Sequence, residues 1–275
     1  MMKRIWRGTA FAVLALSTTV LSWSLKGDST SVSAGNFSKD TISATEPVAP
    51  VKTISAAQAY VNYVNDIYTS ADLKSADLDF NVFRKAMTGY LNFRTAGMVS
   101  AARQIISIVD FNKASTSKRL WIIDLENRKL LFNTLVAHGQ GSGDNIATSF
   151  SNTAESHQSS IGFYITSNTY QGKHGLSLKL NGMDKNYNAN AFNRAIVVHG
   201  AEYVSQSFIN QHGRLGRSYG CPAVPVELTP AIIDAIKGKT TLFINGPETV
   251  KYASGYLNEE SAASQFGQGE LLAGS

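Results

Sequence analysis

The chain holds one cysteine, Cys221, and five histidines. A thiol attacks as its thiolate, and a free cysteine with a pKa of about 8.5 supplies only a few per cent of that form at pH 7, so Cys221 needs a base. Cys221 follows Gly220, which permits positive φ or a close approach, and precedes Pro222, which fixes φ. That pair holds a sulfur on a rigid, bent loop, which an idle core cysteine does not require. His199 is the candidate base. It ends the apolar run Ala195-Ile196-Val197-Val198, the pattern of a buried strand, and Gly200 follows it. It precedes Cys221 by 22 residues, enough chain for a loop to bring the two side chains together. His138 has the same setting at the end of 134–138, before Gly139. His174 and His212 each precede a glycine in loop sequence, and His157 lies in a Ser-rich stretch.

The elements that must position these groups are legible in the periodicity. Apolar residues at spacings of three and four predict a helix over 55–69, capped by Ser55, and another over 79–95, with Gly89 as a weak point. After Gly97 the period changes to two. Short β-rich runs follow at 104–111, 119–125, 129–137, 161–167, 176–180, 195–199 and 240–245, with a tight turn at Glu126-Asn127. A short helix is expected over 230–237, with Thr229 as its cap and Pro230 in its first turn. The fold class expected is mainly β, an antiparallel sandwich or barrel-like domain over 98–250 behind a small helical segment over 55–97. The polar tail, 251–275, is expected to be mobile.

The N-terminus carries Lys3, Arg4 and Arg7, then no charge from Gly8 to Leu25, then the small residues Val32-Ser33-Ala34. This is the layout of a secretory signal peptide or uncleaved anchor over 1–34, with a polar linker over 35–54. The chain is expected to be exported to the periplasm or cell envelope, tethered to the membrane if the leader is uncleaved. A lone thiol in an oxidising compartment is a liability, so its presence there points to use. Of a net charge of +5, much resides in this leader, where four cations face Asp28. The remaining body is close to neutral, which argues against nucleic acid as a partner. With 43% hydrophobic residues the chain can bury a core, and a single cysteine excludes a disulfide framework or thiolate zinc finger.

Further motifs surround the Cys/His pair. His199-Gly200 followed by Gly216-Arg217-Ser218-Tyr219-Gly220-Cys221-Pro222-Ala223 resembles the signature of the murein L,D-transpeptidase catalytic-domain family, in a branch with Tyr219 where a second histidine usually stands. Val136-Ala137-His138-Gly139, the segment from Ser159 to Tyr164, Gly172-Lys173-His174-Gly175 and the segment from Arg194 to Ala201 fit the same branch. The arginine often found shortly after the family's cysteine is absent; Pro222-Ala223-Val224-Pro225 stands there.

The resemblance implies acyl transfer on peptidoglycan stem peptides without metal or other cofactor. Cys221 is the expected nucleophile and His199 the base, oriented by Ser218. Backbone N–H groups of Tyr219, Gly220 and Cys221 would face the oxyanion. Arg217, Arg214, His138 and Tyr164 are expected to bind substrate, the arginines through a peptide carboxylate. Two other readings compete. One is an inert wall-binding module of the same fold. The other is a zinc hydrolase using His138, His199 and His212 or His157, although no HExxH or His-x-His spacing is present. The helices over 55–95 also offer a surface for another envelope protein.

Overall fold

The computed structural model describes residues 54–267. The leader read over 1–34, nearly all of the linker and the last residues of the tail, 268–275, lie outside the described residues. Two helices come first. Helix α1, Ala56–Ser70, starts where the Ser55 hydroxyl accepts the Gln58 N–H at 3.2 Å. Helix α2, Phe80–Thr95, starts at Asp79, whose carboxylate accepts from the N–H groups of Asn81 and Val82. Gly89 has a packing reason: a Cβ there would lie 2.2 Å from the Phe163 ring, so the helix crosses the sheet only because that position lacks one.

Strands β1 (Ile105–Asp110), β2 (Leu120–Asp124), β3 (Lys129–Thr134), β4 (Gly162–Gly172), β5 (Gly175–Gly182), β6 (Val197–Gly200), β7 (Ala223–Val224) and β8 (Thr241–Asn245) form one sheet in the order β3-β2-β1-β8-β4-β5-β6-β7. All seven predicted runs are strands of this sheet. An antiparallel bridge between Ala137 and Ala223 ties the chain after β3 to β7, so the sheet nearly closes into a barrel. The fold is mainly β, as the sequence implies. The pairing is mixed rather than wholly antiparallel: β1–β8 and β6–β7 run parallel.

Alternation assigns each strand two faces. Ile106, Ile108, Trp121, Ile123, Phe163, Ile165 and Phe243 pack outward against α1 and α2. Val109, Ile122, Tyr164, Leu178, Leu180, Val198, Leu242 and Ile244 fill the other core, which helix α4 (Thr229–Ile236) caps with Ile232, Ile233 and Ile236. Burial on both faces is why β1 and β8 read as near-continuous apolar runs.

Four details differ from the sequence reading. The β2–β3 connection spans 125–128 rather than the two residues Glu126-Asn127, and Arg128 takes the left-handed conformation (φ 50°). Thr229 is the first residue of α4 and not its cap; its hydroxyl donates to the Pro225 carbonyl at 2.9 Å. Helix α3 (Gln206–His212) and the two-residue β7 have no counterpart in the reading. The tail expected to be mobile is packed as far as Gly267. Helix α5 (Glu259–Ser264) buries Ala262 and Ala263 beside α1 and α2, and the Asn92 amide donates to the carbonyls of Tyr256 and Asn258. Among the described residues no helix is long and apolar enough to cross a membrane.

Candidate active site

Sheet register sets the site. Ser177 pairs with His199 and Lys179 with Val197 across β5–β6, and His199 pairs with Ala223 across β6–β7. Leu178 and Val198 point into the core, so Ser177, Lys179, Val197 and His199 project from the opposite face. Cys221 lies two residues before Ala223, beside Val197, whose N–H donates to the Cys221 sulfur at 3.5 Å. The thiol and the imidazole thus stand on neighbouring segments. Both line a cavity of 590 Å³ together with Ser177, Arg194, Arg217 and Tyr219. The β4–β5 hairpin tip adds Lys173 and His174.

The cysteine loop is held by short internal bonds. Gly220 has φ +120°, and a Cβ there would sit 2.7 Å from the Gln158 carbonyl oxygen. The Ser218 hydroxyl donates to the Cys221 carbonyl at 2.6 Å and accepts the Gly220 N–H at 3.0 Å. Ser218 therefore shapes the loop and does not orient the imidazole. His199 is oriented by its neighbour: Nδ1–H donates to the Gly200 carbonyl at 2.9 Å. A carbonyl can only accept, so the proton sits on Nδ1 and the unprotonated Nε2 is left for a thiol proton. Of the three amides expected to face an oxyanion, that of Gly220 is engaged by Ser218. Those of Tyr219 and Cys221 have no acceptor among the described residues.

Burial pushes the Cys221 thiol above the range of a free cysteine, against the pull of the Val197 N–H and the Arg194 guanidinium. Burial also pushes His199 below a free imidazole. The Gly200 carbonyl opposes that shift, and His174 and Lys173 reinforce it. Both groups are neutral at pH 7. The resting thiol is turned toward the Ala195 carbonyl, 3.7 Å away. The arrangement suits general-base deprotonation during attack rather than a standing thiolate–imidazolium pair.

The remaining expected binding residues divide. Arg217 lines the cavity, donates to the Gly143 carbonyl at 3.0 Å and pairs with Asp144 at 3.2 Å. Arg214 pairs with the same carboxylate at 2.7 Å and lies outside the cavity lining. His138 is wholly buried and does not reach the cavity. Its Nδ1 accepts from the Arg119 guanidinium at 2.8 Å, and burial with that neighbouring charge holds its pKa at about 4. Tyr164 is likewise core, its hydroxyl donating to the Ser160 carbonyl at 2.8 Å. Neither can touch a ligand. Tyr219, 64% exposed at the rim, stacks on His157 with ring centroids 4.3 Å apart.

Sequence reasoning missed Lys173 and His174 as cavity residues; their position in Gly172-Lys173-His174-Gly175, between two strand patterns, was the available signal. Arg194 gave none. Its guanidinium is occupied by the Ser151 and Gln158 carbonyls, each at 2.6 Å. The histidines of the zinc reading do not converge: among the described residues no three His, Cys, Asp or Glu side chains are placed to hold a metal ion.

The family model for the L,D-transpeptidase catalytic domain matches residues 74–245, more than half of the chain. The chain belongs to this family. The matched span runs from before α2 to the end of β8 and contains both Cys221 and His199. Among solved structures, an L,D-transpeptidase from Mycobacterium smegmatis matches at 8% identity over 52% of this chain and 59% of that one, with a TM-score of 0.33. The helical cell shape determining protein Pgp2 from Campylobacter jejuni matches at 13% identity over 66% of this chain and 63% of that one, with a TM-score of 0.38. An L,D-transpeptidase from Stackebrandtia nassauensis matches at 13% identity over 58% of this chain and 65% of that one, with a TM-score of 0.31. The match spans less than two thirds of each of these three proteins. No curated protein matches the chain.

Proposed function

We propose that this L,D-transpeptidase-family protein is a cysteine acyltransferase of the cell envelope, exported by its leader, and that it acts on peptidoglycan stem peptides. The observation that carries the reading is that Cys221 and His199 line one cavity, with the His199 proton on Nδ1. The Cys221 sulfur attacks the carbonyl of an L-centre that precedes a D-residue, while Nε2 of His199 takes the thiol proton. The oxyanion forms against the N–H groups of Tyr219 and Cys221. Collapse breaks the peptide C–N bond, and the departing amine takes the proton back from His199. The thioester then passes its acyl group to an amine, giving a cross-link, or to water, giving a shortened peptide.

Incubation with defined muropeptides, read by mass spectrometry for dimers and shortened monomers, tests the reading. Turnover is expected for the natural protein and none for Cys221→Ala. A Cys221→Ala protein that still turns the substrate over overturns it. The family resemblance also leads to a covalent carbapenem adduct on the intact protein that Cys221→Ala lacks.

A further inference from the structure

Beside the catalytic cavity lies a smaller groove of 170 Å³, lined by Tyr170, Lys179, Phe192, Ala195, Ile196 and Val197. Tyr170, Ala195 and Val197 border both spaces, so the two are neighbours. The Lys179 ammonium lies between two rings, 5.5 Å from the centroid of Tyr170 and 5.6 Å from that of Phe192. Tyr170 and Phe192 are 38% and 55% exposed, so both rings are open to a ligand.

Cation–π contacts hold an ammonium in place but leave its charge uncompensated. Lys179 has no ion pair among the described residues. No aspartate or glutamate lines the groove or the catalytic cavity, whereas Lys173, Arg194 and Arg217 line the latter. A fixed, uncompensated cation in an aromatic-walled groove calls for an anion small enough to enter and attached to something that stacks or packs on the rings.

Register supplies the distance. The pair Lys179–Val197 is one alternation along from the pair Ser177–His199, a rise of about 7 Å on the same face. We propose that this groove is a subsite for a side-chain carboxylate of the stem peptide, adjacent to the residue whose carbonyl Cys221 attacks. The proposal rests on the acyltransferase reading and adds the charge requirement on the donor peptide. The aliphatic part of the donor side chain packs against Phe192 and Tyr170, and its carboxylate pairs with Lys179.

The test measures binding separately from turnover. Calorimetry on the Cys221→Ala protein compares a stem tetrapeptide bearing free side-chain carboxylates with the same peptide amidated at those groups. Lys179→Met in that background is expected to weaken the acidic peptide about tenfold and leave the amidated one unchanged, as for loss of one charge-assisted contact. Lys179→Arg is expected to retain the preference for the acid, which separates loss of charge from damage to the fold. With Cys221 present, Lys179→Met is expected to raise KM by the same factor with kcat within about twofold. Equal weakening of both peptides, no weakening of either, or no binding of the acidic peptide to the Lys179-containing protein overturns the subsite. Turnover that survives Cys221→Ala overturns the nucleophile instead, and leaves the binding comparison to decide the subsite by itself.

Discussion

His174, at the tip of the β4–β5 hairpin, lies against His199 with ring centroids 4.5 Å apart and planes 26° from parallel. The stack covers the imidazole and sets a second imidazole ring beside it, with Lys173 adjacent. All three influences, burial, His174 and Lys173, disfavour the His199 imidazolium. The proposed base therefore holds its proton less readily than a free imidazole. For the natural protein, kcat/KM on a muropeptide is expected to rise through a midpoint below about pH 6.5 and stay flat above it. His174→Phe keeps an aromatic stack and removes the His174 influence that disfavours the His199 imidazolium, so the midpoint should move to higher pH. A midpoint that does not move, or moves down, contradicts this electrostatic account.

The thiol is expected to be sluggish toward small alkylating agents even though it is the proposed nucleophile. With its pKa raised by burial, the iodoacetamide rate should climb with pH through a midpoint above the free-cysteine value of about 8.5. Slow alkylation therefore does not separate an enzyme from an inert wall-binding module; acylation by a carbapenem or a muropeptide does. A midpoint well below 8 would instead reveal a standing thiolate.

Gly220→Ala tests the loop. At φ +120° an alanine is strained, and its Cβ would press on the Gln158 carbonyl. The loop must shift, carrying the sulfur and the amides of Tyr219 and Cys221 with it. The expected cost is about 1–3 kcal/mol of stability and a fall in kcat of about a hundredfold or more, since misplacement by an ångström is enough for that. Circular dichroism should show the fold retained; unchanged kcat would show that the loop geometry is not limiting.

Stability should depend on pH through His138. Its pKa is about 4 in the folded chain and near 6.5 when unfolded. Between those values the unfolded chain binds the extra proton. The contribution is therefore complete above about pH 6.5, shrinks as pH falls and is gone below about 4, a swing of about 3 kcal/mol. Urea melts at several pH values should show it, and His138→Gln should flatten that part of the curve even if it lowers stability throughout.

Ending the chain after Ser254 removes α5, the rings of Tyr256 and Phe266, and the two acceptors of the Asn92 amide. Tyr256 packs at a tilt against Phe93 with ring centroids 4.3 Å apart, so its loss opens the helical layer of the core. A loss of about 3 kcal/mol or more is expected by thermal melting. A truncated protein that melts like the full chain would mean that this segment only rests on the surface.

The strands were legible because their residues alternate or are buried on both faces, and the helices because Ser55 and Asp79 cap clear apolar stripes. Strand β7 was not, since two residues cannot establish a period. Helix α5 was not, since its buried face is built from Ala262 and Ala263, too small to stand out in a polar tail. Cys221 and His199 could be picked out from residue type and strand-end position. The same pattern at His138 was misleading: what separates the two histidines is Arg119, buried inside the barrel and bonded to His138 and the Val136 carbonyl. No local sequence feature reports which side of a strand end faces the interior. Ser218 is expected to orient the imidazole as the third member of a triad, whereas its hydroxyl bonds the Cys221 carbonyl three residues on.

The brevity of β7 has a consequence for how activity is lost. It is clasped on one flank by β6 and on the other by the bridge to Ala137. A segment so short cannot slide by one position without surrendering every rung it makes. Partial mis-seating is therefore not an available outcome: in a population of damaged molecules each should be either fully competent or silent, and the survivors should work at the undamaged rate.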